Sequence, residues 1–237
     1  MNANVPPGAA MLLDFIGRAE TGKPDPEAYG VIVFYKQDRL PKPLTEYTLT
    51  ELLAAQKTWI KNWKGSAAGK YQIIRKTLLG LVDQLGIPGD AKFSPDLQDR
   101  LGYRLLTTRG WQAFTSGQVT LNAFALSVAK EWASMPVLST VQGAHRVVHR
   151  GESYYAGDGV NKSQSKAEAF EAVLNAARGT KADPKPAPAP VPQPTVEDYE
   201  EALAPLPDKR GISWPAVLAI LVIAGLLLAA IWLFGAK

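Results

Sequence analysis

Ala9-Ala10-Met11-Leu12-Leu13-Asp14-Phe15-Ile16-Gly17-Arg18-Ala19-Glu20-Thr21-Gly22, followed after a proline-containing break by Tyr29-Gly30-Val31-Ile32-Val33-Phe34-Tyr35, is the stretch that sets the fold class. Pro7 and Gly8 precede the first run, and Leu12, Leu13, Phe15 and Ile16 recur at helical spacing, so a first helix is predicted over 9–19. The second run places Val31 and Val33 on one face and Ile32 and Phe34 on the other, which predicts a strand. Leu40-Pro41-Lys42-Pro43 breaks the chain, and a short strand at 44–47 would complete a small β-hairpin.

Downstream, helical signals dominate. Thr50 and Glu51 open a predicted helix that runs to about Trp63. Residues 65–69 read as a loop, and 71–85 as a helix carrying Ile73, Ile74, Leu78, Leu81 and Leu85 on one side. Ser94-Pro95-Asp96 combines a capping hydroxyl, a proline at the first helical position and an acid near the positive helix end. It predicts a helix over 95–107, and two further helices are expected at 121–134 and 165–177. One helix, a small hairpin and then several helices make an α+β domain over residues 1–180, mostly helical.

The remainder divides in two. Residues 181–211 form a proline-rich linker in which proline takes every second position from Pro184 to Pro194. Such a run disfavours helix and inner strand and suits an extended spacer. Residues 212–237 hold an uncharged stretch from Trp214 to Phe234, with Trp214 and Trp232 near its ends. About 20 apolar residues cross a bilayer core, so residues 214–234 are predicted to form one C-terminal transmembrane helix.

Composition narrows the function. The 237 residues include no cysteine, which removes disulfides and thiolate metal sites. Net charge is +4, and residues 1–180 carry 21 Lys+Arg against 16 Asp+Glu. That mild excess suits an anionic polymer or lipid surface, and the absence of a basic stripe argues against nucleic acid. The N-terminus lacks the basic and apolar pattern of a secretory signal. Lys209 and Arg210 precede the apolar span, whereas Lys237 alone follows it. Basic flanks favour the cytoplasmic side, which predicts a single-pass inner-membrane protein whose soluble domain stays cytoplasmic until lysis.

Glu20 is the candidate catalytic residue. It ends the first helix behind Phe15 and Ile16, where burial against apolar groups would hold a carboxyl protonated as a general acid. By itself a helix-end glutamate is usually a solvated surface group. Ala19-Glu20-Thr21-Gly22, Tyr29-Gly30-Val31-Ile32-Val33, Ser66-Ala67-Ala68-Gly69-Lys70-Tyr71-Gln72-Ile73-Ile74, Phe93-Ser94-Pro95-Asp96-Leu97-Gln98-Asp99 and Trp132-Ala133-Ser134-Met135-Pro136 occur in that order. Together, over about residues 9–178, they resemble the lambda phage endolysin family. The resemblance implies a lysozyme-like fold and a lytic transglycosylase that cleaves between N-acetylmuramic acid and N-acetylglucosamine without water. It places the catalytic acid at Glu20 and puts Ser66, Gly69, Tyr71 and Gln72 along the substrate cleft. The tyrosine- and glycine-rich segment holding Tyr154, Tyr155 and Asp158 would close that cleft.

Several alternatives stand beside this reading. Phage lysozymes of the T-even type place an aspartate and a threonine where this chain has Tyr29 and Tyr35. Hydrolysis by paired carboxylates would then need Asp25 or Glu27 as the second group. A non-catalytic wall-binding module and a phage structural protein are further possibilities. No cofactor is expected. Gly157-Asp158-Gly159-Val160-Asn161 lacks the spaced carboxylates of a calcium loop, and His145 and His149, four apart, lack the glutamate of a zinc helix. The expected partners are peptidoglycan strands and the bacterial inner membrane, with a holin acting separately.

Overall fold

A computed structural model describes residues 4–180 of the chain. The linker and the apolar span predicted at 181–237 lie outside the described residues. Among the described residues no helix is long and apolar enough to cross a membrane.

Within that range the chain forms α1 (Pro7–Thr21), α2 (Leu49–Trp63), α3 (Arg75–Leu85), α4 (Pro95–Thr108), α5 (Trp111–Thr115) and α6 (Leu121–Glu131). An antiparallel ladder of β1 (Val141–Gln142) and β2 (Val147–Val148) follows, and then α7 (Ala167–Gly179). The class is α+β with helices dominating. Local signals explain the ends. Thr48 and Glu51 make a reciprocal capping box at the start of α2, with bonds of 3.2 and 2.8 Å. Ser94 caps α4 ahead of Pro95, and Gly22 closes α1 in the left-handed conformation that glycine adopts without strain.

Helix α1 is central. Ala9, Leu12, Leu13 and Ile16 are wholly buried, and the helix packs chiefly on α7 and α4. Phe15 stacks on Phe170 of α7 at 6.1 Å. Gly8 lets the two helices approach, since a Cβ there would fall 2.2 Å from the Ala177 carbonyl oxygen. A second aromatic cluster, Trp111, Phe114 and Phe124, joins α5 to α6. The short helix α5 has no counterpart in the sequence-based expectations.

The hairpin is not where the alternating pattern puts it. Val31, Ile32 and Val33 are all buried, so the run does not divide between two faces. Ile32 makes only an isolated bridge, to Ala68, with bonds from Val33 N to Ala67 O and from Gly69 N to Val31 O. The chain then turns left-handed at Phe34 and Tyr35, both at φ 55°. Residues 44–46 form a 3₁₀ turn, after which the Tyr47 carbonyl accepts from Phe93 N and Leu49 N donates to the Ala91 carbonyl. The ladder that does form lies at 141–148, in the segment holding His145 and His149.

The helix expected from Tyr71 begins only at Arg75. Gln72 has φ +46°, and the Gln56 amide donates to the carbonyls of Ser66 (2.6 Å) and Ile73 (3.0 Å), pinning 66–74 as an open loop. Helix α6 stops at Glu131 because Trp132 turns extended.

Candidate active site

Glu20 sits in the last turn of α1 and is partly buried. Its Oε1 accepts a 2.6 Å hydrogen bond from the Ser134 hydroxyl, and the Ser134 N–H lies 3.4 Å away. Burial raises the carboxyl above its ordinary value. The serine bonds oppose that shift, and the charge of Glu131 adds to it. A carboxyl so held stays protonated to higher pH than a surface glutamate, as a general acid requires. Glu131 is itself clamped by Arg109 through contacts of 2.6 and 2.7 Å.

Ser134 is the functional candidate that sequence reasoning missed, although it lies within Trp132-Ala133-Ser134-Met135-Pro136. Its placement has clear causes. Trp132 and Met135 are buried, and the Trp132 indole N–H donates to the Tyr71 carbonyl at 3.3 Å. The Ser134 carbonyl accepts from Gln164 N at 2.8 Å, and Ser153 Oγ donates to the Ala133 carbonyl at 2.7 Å. The signal available in the sequence was a small polar residue between anchored apolar ones; its pairing with Glu20 is a tertiary fact.

A buried polar network backs the same helix. Lys70 is 1% exposed and reaches Asp14 and Asp25, the latter at 2.7 Å, over the rings of Tyr29 and Tyr71. Asp99, also buried, accepts from the hydroxyls of Tyr29 (2.9 Å) and Tyr71 (2.8 Å). Burial first, and then the Asp99 charge, push both phenols above their ordinary range. Gly17 makes room for the Lys70 stem, and Gly102 for the Tyr71 ring.

The loop residues predicted to bind substrate come together beside Val31–Val33. Gly69 has φ +74°, and a Cβ there would strike Gln98 Oε1 at 2.2 Å, so the position demands glycine. Gln98 is buried and saturated: its Oε1 accepts from Lys70 N, and its amide donates to the Tyr29 and Phe93 carbonyls. The Gln72 amide donates to the Gly69 carbonyl at 2.8 Å. Ser66 is mostly buried, and its Oγ accepts from Arg75 N. Tyr71 is 2% exposed, with its ring in the core rather than on an open wall.

The second predicted group lies near the far end of α6. Tyr154 and Tyr155 meet edge to face at 5.1 Å. The Tyr155 hydroxyl donates to the Lys130 carbonyl, and Lys130 Nζ lies over the Tyr154 ring. Asp158 is spent on its own turn, accepting from Val160 N and Asn161 N at 2.8 Å each, and those bonds lower its carboxyl. His145 and His149 lie on the β-hairpin and not on a helix, and His149 Nδ1 contacts Thr140 Oγ1. No group of three metal-ligating side chains occurs among the described residues. Asp25, the alternative second carboxylate, is engaged by Lys70, whereas Glu27 is exposed.

A helix-end carboxyl raised above its ordinary value by burial and bonded to a serine has the features a general acid needs. In comparison with known proteins, the Endolysin family model matches residues 10–161, and the chain belongs to that family. Its members are phage lysis enzymes that degrade peptidoglycan, so the substrate is peptidoglycan. No curated protein and no solved structure matches the chain.

Proposed function

We propose that this endolysin is a lytic transglycosylase with a lysozyme-like catalytic domain. It cuts the bond between N-acetylmuramic acid and N-acetylglucosamine with Glu20 as its acid and base. The observation that carries the reading is the partly buried Glu20 carboxyl bonded to Ser134 inside the family match.

In the reaction, protonated Glu20 gives its proton to the glycosidic oxygen as the bond to the muramic anomeric carbon breaks. N-acetylglucosamine leaves as an alcohol. The muramic 6-hydroxyl attacks the anomeric carbon, its proton passes to the Glu20 carboxylate, and a 1,6-anhydro ring closes. No water is consumed, and Glu20 ends protonated as it began. Ser134 occupies Oε1 and leaves Oε2 to handle the proton. Hydrolysis would call for a second carboxylate flanking the sugar. Asp25 is engaged by Lys70, whereas Glu27 is exposed, so the ends of the released fragments distinguish the two reactions.

Domain organisation completes the proposal. Residues 1–180 are the catalytic domain, 181–211 a proline-rich spacer and 212–237 a single-pass anchor in the host inner membrane. The domain is stored on the cytoplasmic face and meets the wall once a holin breaches the bilayer. Digestion of purified sacculi, with mass spectrometry of the fragments, tests the chemistry. Anhydro ends are expected; reducing muramic ends would make the enzyme a muramidase, and no fragments at all would leave a binding module. Protease treatment of intact spheroplasts tests the topology, with protection of residues 1–180 expected.

A further inference from the structure

Phe34 and Tyr35 stand outside everything described so far. They are 60% and 58% exposed, adjacent in sequence, and absent from the hydrophobic core. An exposed pair of large rings is the informative kind of surface apolarity. Both residues also hold φ 55°, where an aromatic side chain is strained and glycine or asparagine would sit more easily. Neither ring repays that strain by filling the core. Strain of this sort gathers at sites where a side chain must be presented in one place.

The place is specific. A Cβ built on Gly22 would lie 3.6 Å from the Tyr35 hydroxyl, so that hydroxyl stands at the end of α1, two residues past Glu20. The Phe34 ring edge comes equally close, 3.6 Å, to a Cβ built on Gly65, the residue before Ser66. Next along the chain, Lys36 lies over the Trp63 ring at 5.4 Å. The two rings therefore bridge the surface between the catalytic end of α1 and the loop 65–72.

We propose that Phe34 and Tyr35 form a stacking platform for a pyranose ring of the glycan strand, holding the sugar in register with Glu20. A hexosamine ring presents an apolar C–H face with hydroxyl and N-acetyl groups at its edge. Aromatic side chains match that face with large, stiff area and little rotamer entropy to lose. The Tyr35 hydroxyl supplies a polar tip for the sugar's edge. The inference rests on the reading of this surface as a glycan-cleaving site.

The test uses the full chain carrying Glu20→Gln, so that binding is read without cleavage, and measures co-sedimentation with purified sacculi. Adding Phe34→Gly with Tyr35→Gly removes the rings and relieves the backbone; Phe34→Asn with Tyr35→Asn does the same with residues that tolerate positive φ. Both pairs are expected to weaken binding about tenfold or more. Phe34→Tyr with Tyr35→Phe, which keeps two rings, is expected to bind within about twofold of the parent, a loss of under about 0.5 kcal/mol. In the Glu20 background the glycine pair is expected to raise KM for sacculi far more than it lowers kcat. Undiminished binding by a folded ring-free variant overturns the platform while leaving Glu20's role intact. Failure of the parent chain to bind or cleave sacculi overturns both.

Discussion

Replacing Gly17 with alanine should destabilise the domain, although alanine is the better helix former. Gly17 lies inside α1, and a Cβ there would meet Lys70 Cγ at 2.6 Å and Cε at 2.7 Å. The Lys70 stem cannot swing away freely. It is 1% exposed and its ammonium is held by Asp14 and Asp25. Forcing a methyl group into a packed interior costs about 1–3 kcal/mol. Displacing the ammonium adds to this, with a discount because water reaches Asp14 (46% exposed) and Asp25 (39%). Helix propensity gives back about 1 kcal/mol. The expected net loss is about 2 kcal/mol, or a Tm about 4–8 °C lower for a domain of this size. Gly80 is the control: it lies in α3, exposed, with nothing within 4 Å of a built Cβ. Gly80→Ala should gain about 1 kcal/mol. Urea unfolding followed by near-ultraviolet circular dichroism measures both. Equal stabilisation by the two substitutions would show that Lys70 yields without cost, and the account of the network behind α1 would fall.

Glu20→Gln should lower lytic activity on sacculi by about 10²–10⁴-fold while keeping the fold. The same variant should be more stable than the parent at neutral pH. The folded carboxyl lies above its ordinary 4.5, so the parent loses stability as pH rises from there through the folded pKa, and the gap opens over that window. A gap that narrows with rising pH would contradict burial as the cause. Ser134→Ala removes the hydroxyl bond that favours the ionised carboxylate, so the alkaline limb of kcat/KM should move to higher pH; an unmoved limb would detach the Ser134 hydroxyl from Glu20. Activity should survive EDTA, given that no metal-ligating cluster occurs among the described residues; loss restored by a divalent ion would refute this.

Much of the helical frame was legible because its signals are local. Ser94-Pro95 opens α4 where expected, and the helix expected from Thr50 and Glu51 starts one residue earlier, at Leu49, with Thr48 as its cap. The strand at 29–35 was misread because periodicity reports the spacing of apolar residues, not which neighbours cover them. Val31, Ile32 and Val33 are buried by contacts on every side, and the left-handed turn at Phe34 and Tyr35 leaves no trace in residue type. Residues 71–74 failed as the start of a helix because Gln56, a long-range donor, holds the Ser66 and Ile73 carbonyls against the local preference. Glu20 could be singled out from its motif and its apolar neighbours. Ser134 could not, because its role exists only when two distant segments meet, and Glu131 with Arg109 is hidden for the same reason.

The bond between Glu20 and Ser134 joins positions 114 residues apart. A ribosome adding about 5–20 residues per second takes roughly 6–23 s to cover that separation. During that interval the acid exists without the group that orients it. The Ser134 backbone is in turn fixed through Gln164, made later still. A nascent or truncated chain ending before Ser134 therefore carries the glutamate without the group that orients it. For an enzyme whose product is destruction of its host's wall, an unfinished copy is a harmless one.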